Sequence, residues 1–374
     1  MRNLLVYIVI VSVIFACKAK TENDVTPWGE TLGQDTLTSN DDAFSLEDIV
    51  NAGEMIMLTI SSPETYYDYH GRGLGLQYLV CERFAQKLGV MLRVEVCADS
   101  AEVMQKLEAG EGDIAVFSDF KNWHVAKGND ALSNELKAWY TPDMLAKVQQ
   151  EQKSILANGT VKRRVYPFML SRATGTISRF DNLFRKYAPT ARMDWTLLAA
   201  QCYQESCFDP MAHSWAGACG LMQIMPSTAT QLGLPHSDLY DPEQNIKAAV
   251  RYMADLIGKF NDVPARKERL CFALASYNGG IHHVRDAMAL ARSNGKDPHR
   301  WADVRNYILA LQSPQYYRDP VVKNGYMRGS ETVDYVDRIM DRWRQYGGAT
   351  HGKGYAPAVT PTPSKKKNRW DKGI

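Results

Sequence analysis

Neither sign of charge dominates this chain: 44 lysines and arginines stand against 42 aspartates and glutamates in 374 residues, leaving a net charge of +2. That balance excludes the global electrostatic footprint of a nucleic-acid binder and confines any affinity for polyanions to local patches. No two of the seven cysteines stand as CxxC, so the commonest zinc spacing is missing and no metal site is expected. The apolar run from Leu4 to Ala16 is too short for a stable membrane span, which needs about 20 residues. From Thr176 onward no useful stretch alternates with period two, which excludes a sheet from the C-terminal half. Between Met211 and Ser237 there is no acidic residue at all.

What is present divides the chain. Its length allows two domains with full cores. Residues 1–17 combine a basic start, the apolar run and Ile14-Phe15-Ala16-Cys17, which resembles a bacterial lipobox. The expectation is a cleaved signal, a lipidated Cys17 and anchoring to a membrane. Residues 18–44 are polar and read as a flexible tether. At the other end, residues 347–374 are rich in Gly, Pro and Thr and end basic, and they are expected to be a disordered tail. The six cysteines other than Cys17 are compatible with disulfides or with plain packing.

Residues 45–142 alternate strands and helices. Glu54 to Ser61, Met91 to Cys97 and Gly112 to Phe117 read as strands. Leu76, Leu79, Val80, Phe84 and Leu88 mark a helix closed by Gly89. A mainly parallel sheet follows. Gly71, Gly73 and Gly75 lack the full dinucleotide fingerprint and read as turn glycines. The stretches "SPETYYDYHGRGLGLQYLVCERFAQKLGV" and "LEAGEGDIAVF" resemble the first lobe of a periplasmic solute-binding domain of the amino-acid type. The second lobe of that family has no counterpart before the helical linker expected at 143–174. The resemblance therefore implies a truncated lobe with a structural or docking role, for a protein or a muropeptide.

Residues 175–346 read as an all-α domain. Ile177, Phe180, Leu183, Phe184 and Tyr187 form one apolar stripe. Asp194 opens a helix, Asp241-Pro242 another, and RLCFALASYN closes on Gly279-Gly280. After a helix carrying VRDAMALAR, the rest to Tyr346 reads as turns and short helices. In the Asp194 helix, Leu198, Gln201, Cys202 and Glu205 share a face. Glu205 stands near the helix end, where unpaired carbonyls and partial burial both favour its protonated form. A protonated carboxyl is what a general acid needs, although a solvated glutamate at a frayed end fits the same pattern. Asp209, in FDP, reads as a turn former. His282 and His283 are adjacent and point apart on a helix, so they do not suggest a metal. Tyr316, Tyr317 and Tyr326 fit sugar stacking and core packing equally.

Four blocks decide the reading: Glu205-Ser206, Ser214 to Ala229, Ala275 to Gly280 and Gly329 to Val336. In this order they resemble the motifs of soluble-type (family 1) lytic transglycosylases. That resemblance implies a lysozyme-like fold and a peptidoglycan substrate without a cofactor. It implies Glu205 as the single catalytic acid and base. It places Ser214, Gln223, Met225, Tyr277 and Asn278 along the substrate cleft, with Glu331 and Tyr335 completing the groove. Ser276 departs from the family's usual alanine, and Cys202, Cys207 and Cys219 occupy variable small positions. A Cys207–Cys219 disulfide is carried as one possibility. With a lipid anchor, the family implies the outer membrane, facing the periplasm.

Overall fold

A computed structural model of the chain describes residues 45–117, 123–157, 161–347 and 361. The expectations for the signal, Cys17 and the tether lie outside the described residues, as does nearly all of the tail.

The chain enters through α1 (Leu46–Ala52), held by a capping box in which Ser45 and Asp48 bond each other's backbone N–H. Strand β1 (Glu54–Ile60) leads to a small hairpin of β2 (Tyr67–Tyr69) and β3 (Arg72–Leu74). Next come α2 (Leu76–Leu88), β4 (Met91–Cys97), α3 (Ser100–Glu108), β5 (Ile114–Val116), β6 (Trp123–Val125), α4 (Asp130–Trp139) and α5 (Pro142–Ala157). The sheet order is β4-β1-β5-β6, with β1 parallel to both β4 and β5, and β6 antiparallel at the edge. The expected mainly parallel sheet is therefore present.

Alternation along β1 explains how helices cover both faces. Met55 and Met57 join α2 in the main core, whereas Leu58 meets Val103 and Leu107 of α3 in a separate small core. That main core runs on into the C-terminal half. Tyr326 stacks edge-on against both Tyr67 and Tyr317, with centroids 4.9 Å and 5.7 Å apart, and its N–H donates to Ser61 Oγ at 2.8 Å. Tyr316 and Tyr317 are buried as well, so these tyrosines belong to the core and to the seam between the two halves.

The expected helical linker is helical only to the end of α5. After it, β7 (Val161–Lys162) pairs with β8 (His213–Ser214), and residues 163–180 run as an irregular strap. The ladder partner and Pro167 both work against a helix there. The stripe from Ile177 also begins before its helix: the Ile177 and Ser178 N–H groups donate to the Asp181 carboxylate in a turn, and α6 spans only Asp181–Tyr187. Helix α7 (Trp195–Ser206) starts at the Asp194 cap, as expected, and is buried along most of its length.

Beyond β8 follow α8 (Pro226–Leu232), α9 (Pro242–Lys259), α10 (Arg266–Gly279), α11 (Ile281–Ser293), α12 (Trp301–Ala310), α13 (Pro314–Tyr317) and α14 (Gly329–Gln345). Helix α14 packs on both α7 and α10 at the centre. The stretch expected to hold only turns and short helices thus contains a helix of 17 residues. Its apolar stripe, Val333, Val336, Ile339 and Met340, recurs at helical spacing among acids and arginines. Gly329 is needed where α14 starts: a Cβ there would lie 1.8 Å from the Ile308 carbonyl oxygen. Gly329→Ala should force α12 and α14 apart and lower stability by about 1–3 kcal/mol in denaturant unfolding.

Candidate active site

Glu205 lies in the last turn of α7, on the floor of a cleft of about 520 Å³. The helix ends there because Cys207 adopts the left-handed conformation (φ 51°), and Phe208 follows it (φ 62°). Two consecutive non-glycine residues in that region are costly, and the strap before α6 helps to hold them. The Tyr166 N–H donates to the Cys207 carbonyl, and the Arg164 N–H to Asp209 Oδ2 at 2.6 Å. Asp209 also accepts the Met211 N–H, the turn role expected of it.

Helix α14 supplies the partner of the acid. Tyr335 Oη donates to Glu205 Oε1 at 2.5 Å and accepts from Gln201 Nε2 at 3.3 Å. Burial among the cleft walls raises the Glu205 carboxyl to about 7, against the opposing pull of the Tyr335 hydrogen bond and of the charges of His70 and Arg163. Gln201 and Cys202 beneath it are fully buried, so little water reaches the acid from below. A frayed, solvated helix end is not what the fold builds. Tyr335→Phe should remove a bond that favours the ionised form and carry the alkaline limb of the activity profile above pH 7, read from initial rates across pH.

The remaining sequence candidates converge on this cleft. Ser214, Gln223, Met225, Tyr277, Asn278 and Glu331 all line it with Glu205 and Tyr335. Tyr277 Oη donates to the Met222 carbonyl at 2.8 Å, fixing α10 to the loop that carries Gln223 and Met225. Asn278 Oδ1 accepts from Thr332 Oγ1 at 2.8 Å. Ser214 Oγ accepts the Ala218 N–H, and Gln223 Nε2 donates to the carbonyls of Ala212 and Gly220. Gln223 is itself left-handed (φ 49°), and its buried Oε1 has no partner within the protein. The Ser276 hydroxyl, which stands where the family resemblance expects alanine, is buried without a partner.

Glu331 has a different character from Glu205. It pairs with Arg328 at 2.8 Å and with His70 at 3.4 Å, and accepts from Tyr69 Oη at 3.3 Å. Burial alone would raise its carboxyl, but the His70 bond, the charges of Arg328 and His70 and the Tyr69 bond outweigh it and leave it below the ordinary value. It is an ionised, tied carboxylate. Asp68 and Asp334 also line the cleft, so the acid-free stretch from 211 to 237 did not make Glu205 the cleft's lone carboxylate. Asp68 is engaged in its own hairpin turn, accepting the Gly71 N–H at 3.0 Å.

Sequence reasoning missed that the first domain builds a wall of this cleft. The β2–β3 hairpin reaches across it. Arg72 sits 4.7 Å above the Trp215 ring, while Tyr69 and His70 meet Glu331 on the opposite side. Gly71 (φ 75°) passes so close to Met225 that a Cβ would lie 3.3 Å from its methyl carbon. Of the three glycines read as turn glycines, Gly71 is the one that lines the cleft, whereas Gly73 and Gly75 lie against Tyr66, Tyr78 and the Thr65 backbone. Asn245 was missed too: fully buried, it accepts the Met222 N–H and donates to the carbonyls of Cys219 and Leu239. No signal short of the fold marks either feature.

All six described cysteines are unbridged, so the disulfide between Cys207 and Cys219 is absent; Cys219 faces the His213 ring at 3.5 Å. His283 is buried and His282 is not. Among the described residues, no group of three or more His, Cys, Asp and Glu side chains is placed to hold a metal ion. Among the same residues, no helix is long and apolar enough to cross a membrane.

The helical half thus sets one glutamate with a raised carboxyl beside a tied carboxylate in a single cleft, and known proteins share parts of its sequence. Residues 182–299 match the Transglycosylase SLT domain. The chain is 38% identical over 232 residues to the membrane-bound lytic murein transglycosylase F of Desulfosudis oleivorans, covering 58% of this chain and 48% of that protein. It is 27% identical over 412 residues to the protein of the same name from Citrobacter koseri (78% and 79%), and 41% over 163 residues to that of Vibrio cholerae (44% and 30%). This chain thus spans about half the length of the Desulfosudis relative. Among solved structures, it is similar to the 70 kDa soluble lytic transglycosylase of Escherichia coli at 26% identity and a TM-score of 0.32, covering 45% of this chain and 24% of that one.

Proposed function

We propose that this protein is a peptidoglycan lytic transglycosylase that cleaves the β-1,4 bond between N-acetylmuramic acid and N-acetylglucosamine and leaves 1,6-anhydro ends. The observation that carries the reading is Glu205, raised to about 7 and hydrogen-bonded to Tyr335, beside a carboxylate at Glu331 that is held ionised by three partners. An acid poised near neutrality serves both as proton donor and as acceptor.

In the first step the Glu205 carboxyl gives its proton to the glycosidic oxygen, the C1–O bond breaks, and the N-acetylglucosamine side leaves as an alcohol. The positive charge at C1 is stabilised by the sugar's own acetamido oxygen. In the second step the Glu205 carboxylate takes the proton of the C6 hydroxyl, whose oxygen bonds to C1 and closes the anhydro ring without water. Conventional hydrolysis would need a second carboxylate free to act as nucleophile or base. Of the cleft's other carboxylates, Glu331 is bound to Arg328, His70 and Tyr69 and Asp68 to its own turn, which leaves the exposed Asp334, and analysis of the products separates the two outcomes. Gln223 Oε1 offers an acceptor to an N–H of the substrate, with Ser214, Met225, Tyr277 and Asn278 shaping the cleft around the sugars.

The wider setting belongs to the same proposal. Cys17 carries the lipid, the chain is anchored to the outer membrane facing the periplasm, and it serves wall remodelling or turnover. The α/β part is a single lobe of solute-binding type. The parallel β4-β1-β5 arrangement supports this. Mass spectrometry of digested sacculi tests the central claim. Anhydromuramic ends are expected, whereas reducing muramic acid would identify a hydrolytic muramidase, and intact sacculi a non-catalytic wall-binding protein.

A further inference from the structure

The strap between the two domains does more than connect them. Arg163 leaves the β7 strand next to the end of α7, and its Nη1 donates to the carbonyl oxygens of Glu205 at 2.7 Å and Gln204 at 3.2 Å. These are among the carbonyls that an α-helix leaves unpaired at its C-terminus. The same strap is fixed on both sides of Arg163: Val161 pairs with Ser214, the Arg164 N–H bonds Asp209, and the Tyr166 N–H bonds the Cys207 carbonyl. The guanidinium is thus delivered to the helix end by a backbone anchored to the residues that follow the acid. It also lines the cleft.

We propose that Arg163 is a positioning residue for Glu205, holding the carbonyl end of α7 and supplying the positive charge that supports the carboxylate when it acts as a base. The proposal rests on the reading of Glu205 as the acid and base. Nothing from α7 itself could do this, since its last turn carries no basic residue. A cation at a helix C-terminus offsets the partial negative charge of the carbonyls, which would otherwise oppose ionisation of the glutamate beside them. Arg163 is exposed, so its effect is screened by solvent and salt, and its removal leaves the core intact.

Several other groups face Glu205. Tyr335, Asp334 and Arg338 come from α14, Tyr277 from α10, Asp68 and His70 from the hairpin, and Cys202 from α7. None of them donates to the α7 carbonyls at its C-terminus. Arg163 is therefore separable from them by substitution.

The test uses the full chain as wild type, Arg163→Gln, Arg163→Lys and Glu205→Gln. Carbon NMR of 13C-glutamate protein titrates the Glu205 carboxyl, assigned by its disappearance in Glu205→Gln, and rates on soluble glycan oligomers give kcat and KM. Arg163→Gln should move the Glu205 titration and the alkaline limb of kcat to higher pH together. It should lower kcat about fivefold with KM unchanged, and Arg163→Lys should restore most of both. A titration that stays where wild type has it, or a loss confined to KM, overturns the proposal. If Glu205→Gln remains active while the titration still shifts, the catalytic reading fails and the placement of Arg163 stands.

Discussion

Glu205→Gln should lower the release of soluble fragments from purified peptidoglycan by about 10²–10⁴-fold, the range supplied by a positioned proton donor and acceptor. Glutamine keeps the shape and can still accept from Tyr335, so the loss would report the proton rather than the packing. The same substitution should make the protein more stable at alkaline pH. The folded carboxyl titrates at about 7 and the unfolded one near 4.5, so the folded state binds more protons between those values. Stability then falls as pH rises from about 4.5 and reaches its full loss above 7. The difference amounts to about 2–3 kcal/mol, read as a higher Tm of the variant than of the wild type at pH 8, with the gap closing near pH 4. An active variant, or one with no gain at pH 8, would place the acid elsewhere.

Asn245→Ala should cost about 2–4 kcal/mol, because it strands a buried N–H at Met222 and a buried carbonyl at Leu239 and takes one of two donors from the Cys219 carbonyl, which keeps the Ile224 N–H. The residue sits in the first turn of α9, where nothing about the helix requires it. Its side chain instead ties α9 to the loop that carries Gln223 and Met225 into the cleft. Urea unfolding would measure the loss, and activity should fall in step with the folded fraction. A variant as stable as wild type would mean that water replaces all three bonds. Gly220 belongs to the same construction. A Cβ there would lie 2.5 Å from the Asn245 amide nitrogen and 2.4 Å from the Leu239 carbonyl oxygen.

Local rules made much of the chain legible. The caps at Asp194 and Asp241, the left-handed Gly89 and the helical spacing from Leu76 to Leu88 depend on neighbours a few residues away. Where the expectation failed, a distant partner had overridden the local pattern. Residues 161–162 left the linker helix for a ladder with 213–214. Helix α14 is the exception: it was legible, since Val333, Val336 and Met340 recur at helical spacing between charged residues, and the expectation of short helices there overlooked that period. The cysteines at 207 and 219 stood at a spacing that allowed a bridge, but the left-handed end of α7 uses Cys207 as a cap.

The sequence by itself determined the candidates for the site: a glutamate at a helix end, followed by polar and aromatic blocks in fixed order. Only the tertiary structure decided what state that glutamate is in. Its burial comes from α10 and α14, its hydrogen bond from a tyrosine 130 residues away, and its neighbouring charges from the strap and from the hairpin of the other domain. A carboxyl's affinity for its proton depends on the dielectric and the charges within a few ångströms, whatever their distance along the chain. Periodicity and spacing report the local path of the backbone, and the cleft is made where remote parts of that path meet.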